Sequence, residues 1–546
     1  MRHAFDDRQT VSFRTTTGNQ TAKHSLASSC KSPVMTSASI DYFEFDEDAP
    51  SAPLMLASVL PESRFFACED LRWSDCVEDA AECQPGNVVL YRIGEGEPNE
   101  VIAQALARGA SGILTEQLLP CPLPQCVVGS IDLALAKISS AQHQAPDRKL
   151  LTVGVLGQSG KTSTCLLAAT LTNALGMRTA YQCDLGCSDG VVNQTSTDFV
   201  PIGAPLIDWL AESGDSMSRL ALIEIDEHAA RDGHYDAMQF DVLIVTGKRE
   251  LSEDFGPSGL HCLVERLAAN GVVIAPEEDA RTRSLLEDAD CHHVSYGNSA
   301  SSEFSAVILD QSGGMSTIML SAGDTSAMME TPLCGTAMAS NIAATVAFGA
   351  LLGHSLQDIA KHLNALRSIP GRGQRLVDFG RATVVLETGG TAERVSGALR
   401  TAKATGVGGR VWCVLVIGNE QSEDDLAGFG RSIERHAHHC VVTSQVDQTG
   451  SFLKRAHHLL DGVKECAAMR LVADQNQAIE WAVQSAGPRD TVVVITNRRE
   501  QTAHAARTQF QAIETLVESL REVSEPEQFA EQDSESGFPI TLKLFP

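Results

Sequence analysis

No stretch of about 18 consecutive apolar residues occurs in this chain of 546 residues, so no candidate membrane-spanning helix is present in the sequence. The first residues hold no continuous apolar segment of the signal-peptide kind, and a cytoplasmic location is expected. None of the 15 cysteines are spaced Cys-x-x-Cys. Scattered thiols of this kind suit a reducing compartment rather than a disulfide scaffold. Basic residues are scarce: 42 Lys and Arg against 70 Asp and Glu leave a net charge of −28. This excludes nucleic-acid binding through a general electrostatic footprint, although a local basic pocket for phosphates stays open.

What is present is a globular composition, 43% hydrophobic and 21% charged, in a chain long enough for three or four domains. Residues 1–50 form a polar extension whose first 40 residues, rich in Ser, Thr, Arg and Lys, are expected to be disordered. Residues 51–148 alternate short strand and helix patterns, with Pro85-Gly86-Asn87 as a turn before Val88–Tyr91. Residues 149–369 contain apolar runs such as Ala221–Ile225, Phe240–Thr246 and Gly271–Ala275, which read as strands buried on both faces. Residues 370–522 carry further strands at Ala382–Leu386, Val411–Ile417 and Thr491–Ile495, separated by helical patterns, as a doubly wound sheet requires. Residues 523–546 are an acidic tail ending in an apolar stretch, Phe538 to Pro546, suited to docking on the body.

The most informative segment is Gly154-Val-Leu-Gly157-Gln-Ser159-Gly160-Lys161-Thr162-Ser163-Thr164. It follows an apolar strand pattern and precedes a helical one. That order makes a phosphate-binding loop, in which glycines let backbone N–H groups approach an anion. Gly157, Ser159, Gly160 and Ser163 would line the phosphates. Lys161 would pair with the β- and γ-phosphates of ATP, and Thr162 would ligate Mg²⁺. The competing reading is a plain strand-to-helix turn with a chance lysine.

Two metal-like clusters are weaker. Cys183 and Cys187 have ligand spacing but no second pair. His436-Ala-His438-His439-Cys440 abuts Val441-Val442 and reads as a helix end running into a strand.

The glycine spacing at 154, 157 and 160, with Lys161-Thr162, resembles the Mur ligase family, whose members usually read Gly-Thr-Asn-Gly-Lys-Thr there. The similarity spans about residues 70–505 and is strongest to enzymes that add the third residue to UDP-N-acetylmuramoyl-L-alanyl-D-glutamate. It implies a three-domain α/β fold. The first domain would bind a nucleotide sugar, the P-loop domain with its parallel sheet would bind ATP, and a Rossmann-like domain would bind the incoming amino acid. The implied chemistry is ATP-dependent amide formation through an acyl phosphate.

Several positions match the family's motifs. In Glu224-Ile-Asp226-Glu227-His228, Glu224 and His228 fit Glu-Val-Ser-Ser-His, where the glutamate ligates Mg²⁺; the alternative is an exposed acidic strand end. Asn341 fits a family asparagine after Gly335. Arg372, in Pro370-Gly-Arg372-Gly-Gln-Arg375, fits a linker arginine able to reach ATP, with a plain loop arginine as the competing view. Asn193-Gln-Thr195-Ser196-Thr197 lies where the family binds its sugar peptide.

Other positions depart. Thr246-Gly-Lys248 to Gly256 lacks the Asn and His of Thr-Asn-Leu-x-x-Asp-His, and Gly259–Leu267 holds no lysine for carbamylation. Glu387-Thr-Gly-Gly-Thr-Ala392 replaces Asp-Tyr-Ala-His-Thr-Pro. Gly418-Asn-Glu-Gln-Ser-Glu-Asp424 replaces Gly-Gly-Asp-Arg-Asp, Ser444-Gln-Val-Asp447 replaces Asp-Asn-Pro-Arg, and Thr496 to Glu500 keeps only the glutamate of Gly-Lys-Gly-His-Glu. In the N-terminal part, Asp79-Ala-Ala replaces Asp-Ser-Arg.

Two functions remain open at this point. One is an ATP-dependent carboxylate–amine ligase acting on a nucleotide-sugar peptide or related carboxylate, with Lys161, Glu224 and His228 as catalytic residues. The other is a degenerate pseudo-ligase that binds nucleotide and acts as a regulator or scaffold in cell-wall synthesis. A simple P-loop kinase fits the glycine spacing and the Pro-Gly-Arg segment less well. The oligomeric state is not legible.

Overall fold

A computed structural model of the chain describes residues 54–94, 96–194, 200–247, 258–418, 421–445, 449–496 and 503–522. The extension 1–50 and the tail 523–546 therefore lie outside the described residues. The chain divides into two compact units. The first comprises Met1–Val307, Met319–Met329 and Ala339–Ala365; the second comprises Ile308–Ile318, Glu330–Met338 and Leu366–Pro546.

In the first unit, β1 (Arg64–Phe66), β2 (Cys76–Val77), β3 (Val88–Tyr91), β4 (Gly112–Thr115) and β5 (Gln125–Val127) form a sheet in the order β1-β5-β4-β3-β2. Every residue of β3 and β4 is buried, because helices cover both faces of a parallel pair. One helix, α1 (Pro98–Arg108), starts on a proline and stops at Gly109 in the left-handed region. The other, α2 (Ile131–Gln142), is capped by the Ser130 hydroxyl, which accepts from the Leu133 N–H.

The larger sheet carries the phosphate-loop candidate. Its parallel centre is β12 (Leu267–Pro276), β11 (Phe240–Thr246), β6 (Leu151–Gly157), β10 (Leu220–Glu224) and β7 (Thr179–Cys183), in that spatial order. On one side it continues through the short β8 (Gly186–Ser188) and β9 (Asn193–Gln194). On the other it continues through β13 (His293–Gly297), β14 (Phe304–Ser312), β15 (Met315–Ala322) and β16 (Thr325–Thr331). The turn Gly313–Gly314 joins β14 to β15. Leu156, Ile223, Leu243, Val245 and Val273 pack with Leu206 and Trp209 of α4 (Ala204–Asp215) in one core. Because β6 sits between β10 and β11, the carboxyl ends of all three strands open on the same edge. Their register pairs Val155 with Glu224 and Gly157 with Thr246. An open α/β sheet binds its ligands at such an edge.

The second unit is the expected doubly wound sheet. Its order is β17 (Arg372–Leu376), β18 (Thr383–Thr388), β22 (Thr491–Thr496), β19 (Val411–Ile417), β20 (His439–Ser444) and β21 (Met469–Leu471). All but β17 run parallel. One face packs α7 (Ala392–Thr405), α8 (Glu423–His436) and α9 (Phe452–Leu460) through Leu399, Phe429 and Leu459. The other packs α10 (Gln475–Ser485) and α11 (Ala503–Glu522) through Ile479, Phe510 and Val517. The edge strands β17 and β21 are not fully buried, so they carry no apolar run for the sequence to reveal.

Buried thiols are paired in both units. Cys165 lies in hydrogen-bond contact with Cys183 in the first. Cys413 and Cys440 share one register position on β19 and β20 in the second. The neighbouring Cys413 thiol first, and burial second, push Cys440 well above the ordinary thiol range.

Candidate nucleotide site

The loop after β6 turns through Gly157 and Gly160, both in the left-handed region, and α3 (Lys161–Ala174) begins at once. A side chain cannot replace either hydrogen. A Cβ at Gly157 would strike the Thr246 carbonyl, and one at Gly160 would strike the Asn341 side chain. The loop is thus gripped from two sides: by the end of β11, where Gly247 also lies against Ser159, and by α6 (Thr336–Leu351), which carries Asn341. No side chain caps the start of α3, which leaves its first-turn N–H groups directed at the loop.

Lys161, Thr162 and Glu224 meet across this edge. The Lys161 ammonium donates to the Ile225 carbonyl at 2.9 Å and lies 3.8 Å from the Glu224 carboxylate. The Thr162 hydroxyl donates to one Glu224 oxygen at 3.2 Å, and the Asp184 N–H donates to the other at 3.0 Å. Glu224 is only 3% exposed. Burial, reinforced by the nearby Asp184 carboxylate, pushes it up to about 7 against the opposing effect of Lys161. The reading of Glu224 as part of an exposed acidic strand end is therefore overturned. One hydroxyl and one carboxylate form an oxygen donor set of the kind Mg²⁺ takes, and the carboxylate is under-neutralised, so Thr162 and Glu224 fit that ion.

Asp226 is turned to another use. It caps α5 (Glu227–Arg231): its carboxylate accepts from the His228 and Ala229 N–H groups at 2.8 Å each. His228 stands exposed on α5, with its Nδ1 3.2 Å from the Arg231 guanidinium, and no described contact links it to Glu224. Ser163 is buried in the first turn of α3. Arg372 belongs to the second unit. There it faces Glu387, which burial pushes up to about 7 while Arg372 and Arg394 hold it down.

Asp184 was not identified from the sequence. It directly follows β7, the strand beside β10, whose mixed Thr-Ala-Tyr-Gln-Cys sequence carries no apolar run to mark it. The region His436–Cys440 divides as expected, with α8 ending at His436 and β20 beginning at His439. Thr195–Thr197, Lys248–Gly256, Asn419, Glu420, Val446, Asp447 and Asn497–Glu500 lie outside the described residues.

The model of the Mur ligase glutamate ligase domain matches residues 371–498. The UDP-N-acetylmuramoyl-L-alanyl-D-glutamate–2,6-diaminopimelate ligase of Thermosynechococcus vestitus is 26% identical over 427 residues, 76% of this chain and 86% of that one. Over most of its length the chain is therefore similar to Mur ligases that act on UDP-N-acetylmuramoyl peptides. Its Mur ligase fold is shared with a solved UDP-N-acetylmuramoyl-L-alanyl-D-glutamate–2,6-diaminopimelate ligase, at a TM-score of 0.60 and 16% identity over 86% of this chain and all of the other. It is also shared with the MurF ligase of Thermotoga maritima solved in complex with ADP, at a TM-score of 0.57 and 18% identity over 82% and 98% of the two chains.

Proposed function

We propose that this protein is an ATP-dependent ligase that joins a carboxylate to an amine, acting on a UDP-N-acetylmuramoyl-peptide or a closely related precursor. The observation that carries the reading is the meeting of Lys161, Thr162 and Glu224 beside a loop shaped by Gly157, Gly160 and Asn341. In this reading, first-turn N–H groups of α3 and the Lys161 ammonium hold the terminal phosphates of ATP. Thr162 and Glu224 hold Mg²⁺, which neutralises phosphate charge when bound. The substrate carboxylate attacks the γ-phosphorus and ADP leaves. The amine then attacks the acyl carbon, phosphate leaves, and the amine loses a proton. Asp184 fixes the direction of the Glu224 carboxylate through its N–H. Arg372 is proposed to reach the nucleotide from the second unit. The exposed His228 is a weaker member of the set, and a role for it would depend on substrate.

A second reading is supported by the replaced motifs and by Asp226, whose carboxylate serves a helix cap: a pseudo-ligase that binds nucleotide and regulates cell-wall synthesis. The two readings separate in one assay. ADP release is measured with Mg-ATP and cell-wall precursors, with carboxylate substrate and amine supplied singly and together. A ligase releases ADP and forms an amide product only when both are present. Tight ATP binding without turnover in any mixture supports the pseudo-ligase, and absence of any ATP binding overturns both.

A further inference from the structure

The amino-end edge of the second unit's sheet lies opposite the strand ends that carry the family's chemistry, and it gathers positive charge on a strongly acidic chain. Here α7 and α8 end, bringing Arg400, Lys403 and Arg435 to the same edge as Arg410, Arg470 and Arg489 at the starts of β19, β21 and β22. Among the described residues no carboxylate forms an ion pair with any of these six. Asp490 lies on this edge and feels the Arg410 charge; its carboxylate accepts from the Arg410 N–H at 2.7 Å, the Gly487 N–H at 3.0 Å and the Trp412 indole at 3.1 Å. An aromatic floor runs beneath. Trp412 stacks on His439 with centroids 4.2 Å apart and meets Trp481 edge-on at 5.6 Å, while the Arg470 guanidinium sits 4.4 Å above the Trp481 ring. His436 and His439 sit below the ordinary imidazole range through burial first, and then through their cationic neighbours, as the positive field requires.

We propose that the occupant of this edge is the chain's own acidic segment, residues 523–537. That segment carries Glu525, Glu527, Glu531, Asp533 and Glu535 and follows α11 directly in the sequence. The last described turn of α11 lies on the same edge, because Arg521 donates to the Leu376 and Ala382 carbonyls at 3.1 and 3.3 Å, beside the start of β18. From β18 to β21 the sheet order is β18-β22-β19-β20-β21, four steps of about 4.8 Å or roughly 19 Å in all. About six extended residues cover that distance. Attachment to α11 gives the segment an effective concentration on the order of millimolar, which a separate acidic partner would have to exceed. The β17–β18 turn on this edge also leaves Val377 69% exposed and Phe379 fully exposed, and the apolar end Phe538–Pro546 offers cover for them.

The test uses the full chain with Arg470→Lys and Arg489→Lys, which keep the charge and supply amines for a zero-length carbodiimide cross-link. The expected result is an intramolecular amide between either lysine and a carboxylate within Glu525–Glu535, falling at least about tenfold in 1 M salt. Cross-links that end on carboxylates elsewhere in the chain, that join two copies, or that persist in 1 M salt overturn the proposal. So does an unchanged pattern when the five acidic residues are replaced by Gln or Asn. A single-stranded oligonucleotide that binds the full chain at about 0.15 M salt and removes the cross-link would assign the edge to nucleic acid instead.

Discussion

Two glutamates stand at the carboxyl ends of parallel strands, one in each compact unit, and both are pushed up to about 7 by withdrawal from water. Their surroundings differ. Glu224 is surrounded by a hydroxyl, a backbone N–H and one ammonium at 3.8 Å, with a second carboxylate close by. Glu387 is opposed by two guanidiniums, those of Arg372 and Arg394. The first environment is short of positive charge and gains from an added cation; the second balances itself. A raised carboxyl pKa alone therefore does not mark a ligand site, and the neighbouring charges decide which kind it is.

The largest expected effect falls on the first environment. Lys161→Ala should lower ADP release by at least about 10²–10³-fold, the range seen when one preorganised hydrogen-bond donor is removed from a reacting centre, and should abolish the signal in ATP titration. An equal loss on Arg394→Ala would erase the distinction between the two sites. Glu224→Gln is expected to abolish Mg-dependent turnover yet raise the melting temperature of the nucleotide-free protein by several degrees at pH 8. The sign follows from linkage: a carboxyl raised from 4.5 to about 7 on folding makes the native state less stable as pH rises through that window. The gain should shrink below pH 7 and vanish below about pH 4.5, which melting curves across pH would show.

Arg372→Ala sharpens the second half of the comparison. Without that guanidinium Glu387 should titrate higher still, and its pH-dependent loss of stability should move upward in pH; a profile identical to wild type would mean the pair is not coupled. The smallest effect belongs to Asp226→Ala. Loss of a helix cap costs about 1 kcal/mol, while nucleotide affinity should stay within twofold if that carboxylate serves only the cap. A large change in affinity would bring Asp226 back to the phosphate edge.

The buried parallel strands were legible from the sequence because both faces are apolar, as in Val411–Ile417 and Phe240–Thr246. The loop was legible because its glycines answer to backbone sterics: the Thr246 carbonyl admits no side chain at Gly157. Asn341 could be matched only through the family pattern, because no local rule predicts that a helix 180 residues downstream will touch Gly160. Asp184, and the cap role of Asp226, escaped for the same reason, since an aspartate at a strand end reads alike whether it caps a helix or steadies a ligand. Glu224 was readable as a residue type but not as a buried one, because its depth is set by β6 and β7 on either side.

The two sealed thiol pairs make the molecule its own unfolding clock. A small alkylating reagent added to the intact protein should spare Cys165 and Cys183 until the first unit opens, and Cys413 and Cys440 until the second does. Peptide mapping at successive times would then give each unit an opening rate of its own, and saturating nucleotide should slow the first of those rates and leave the second nearly untouched.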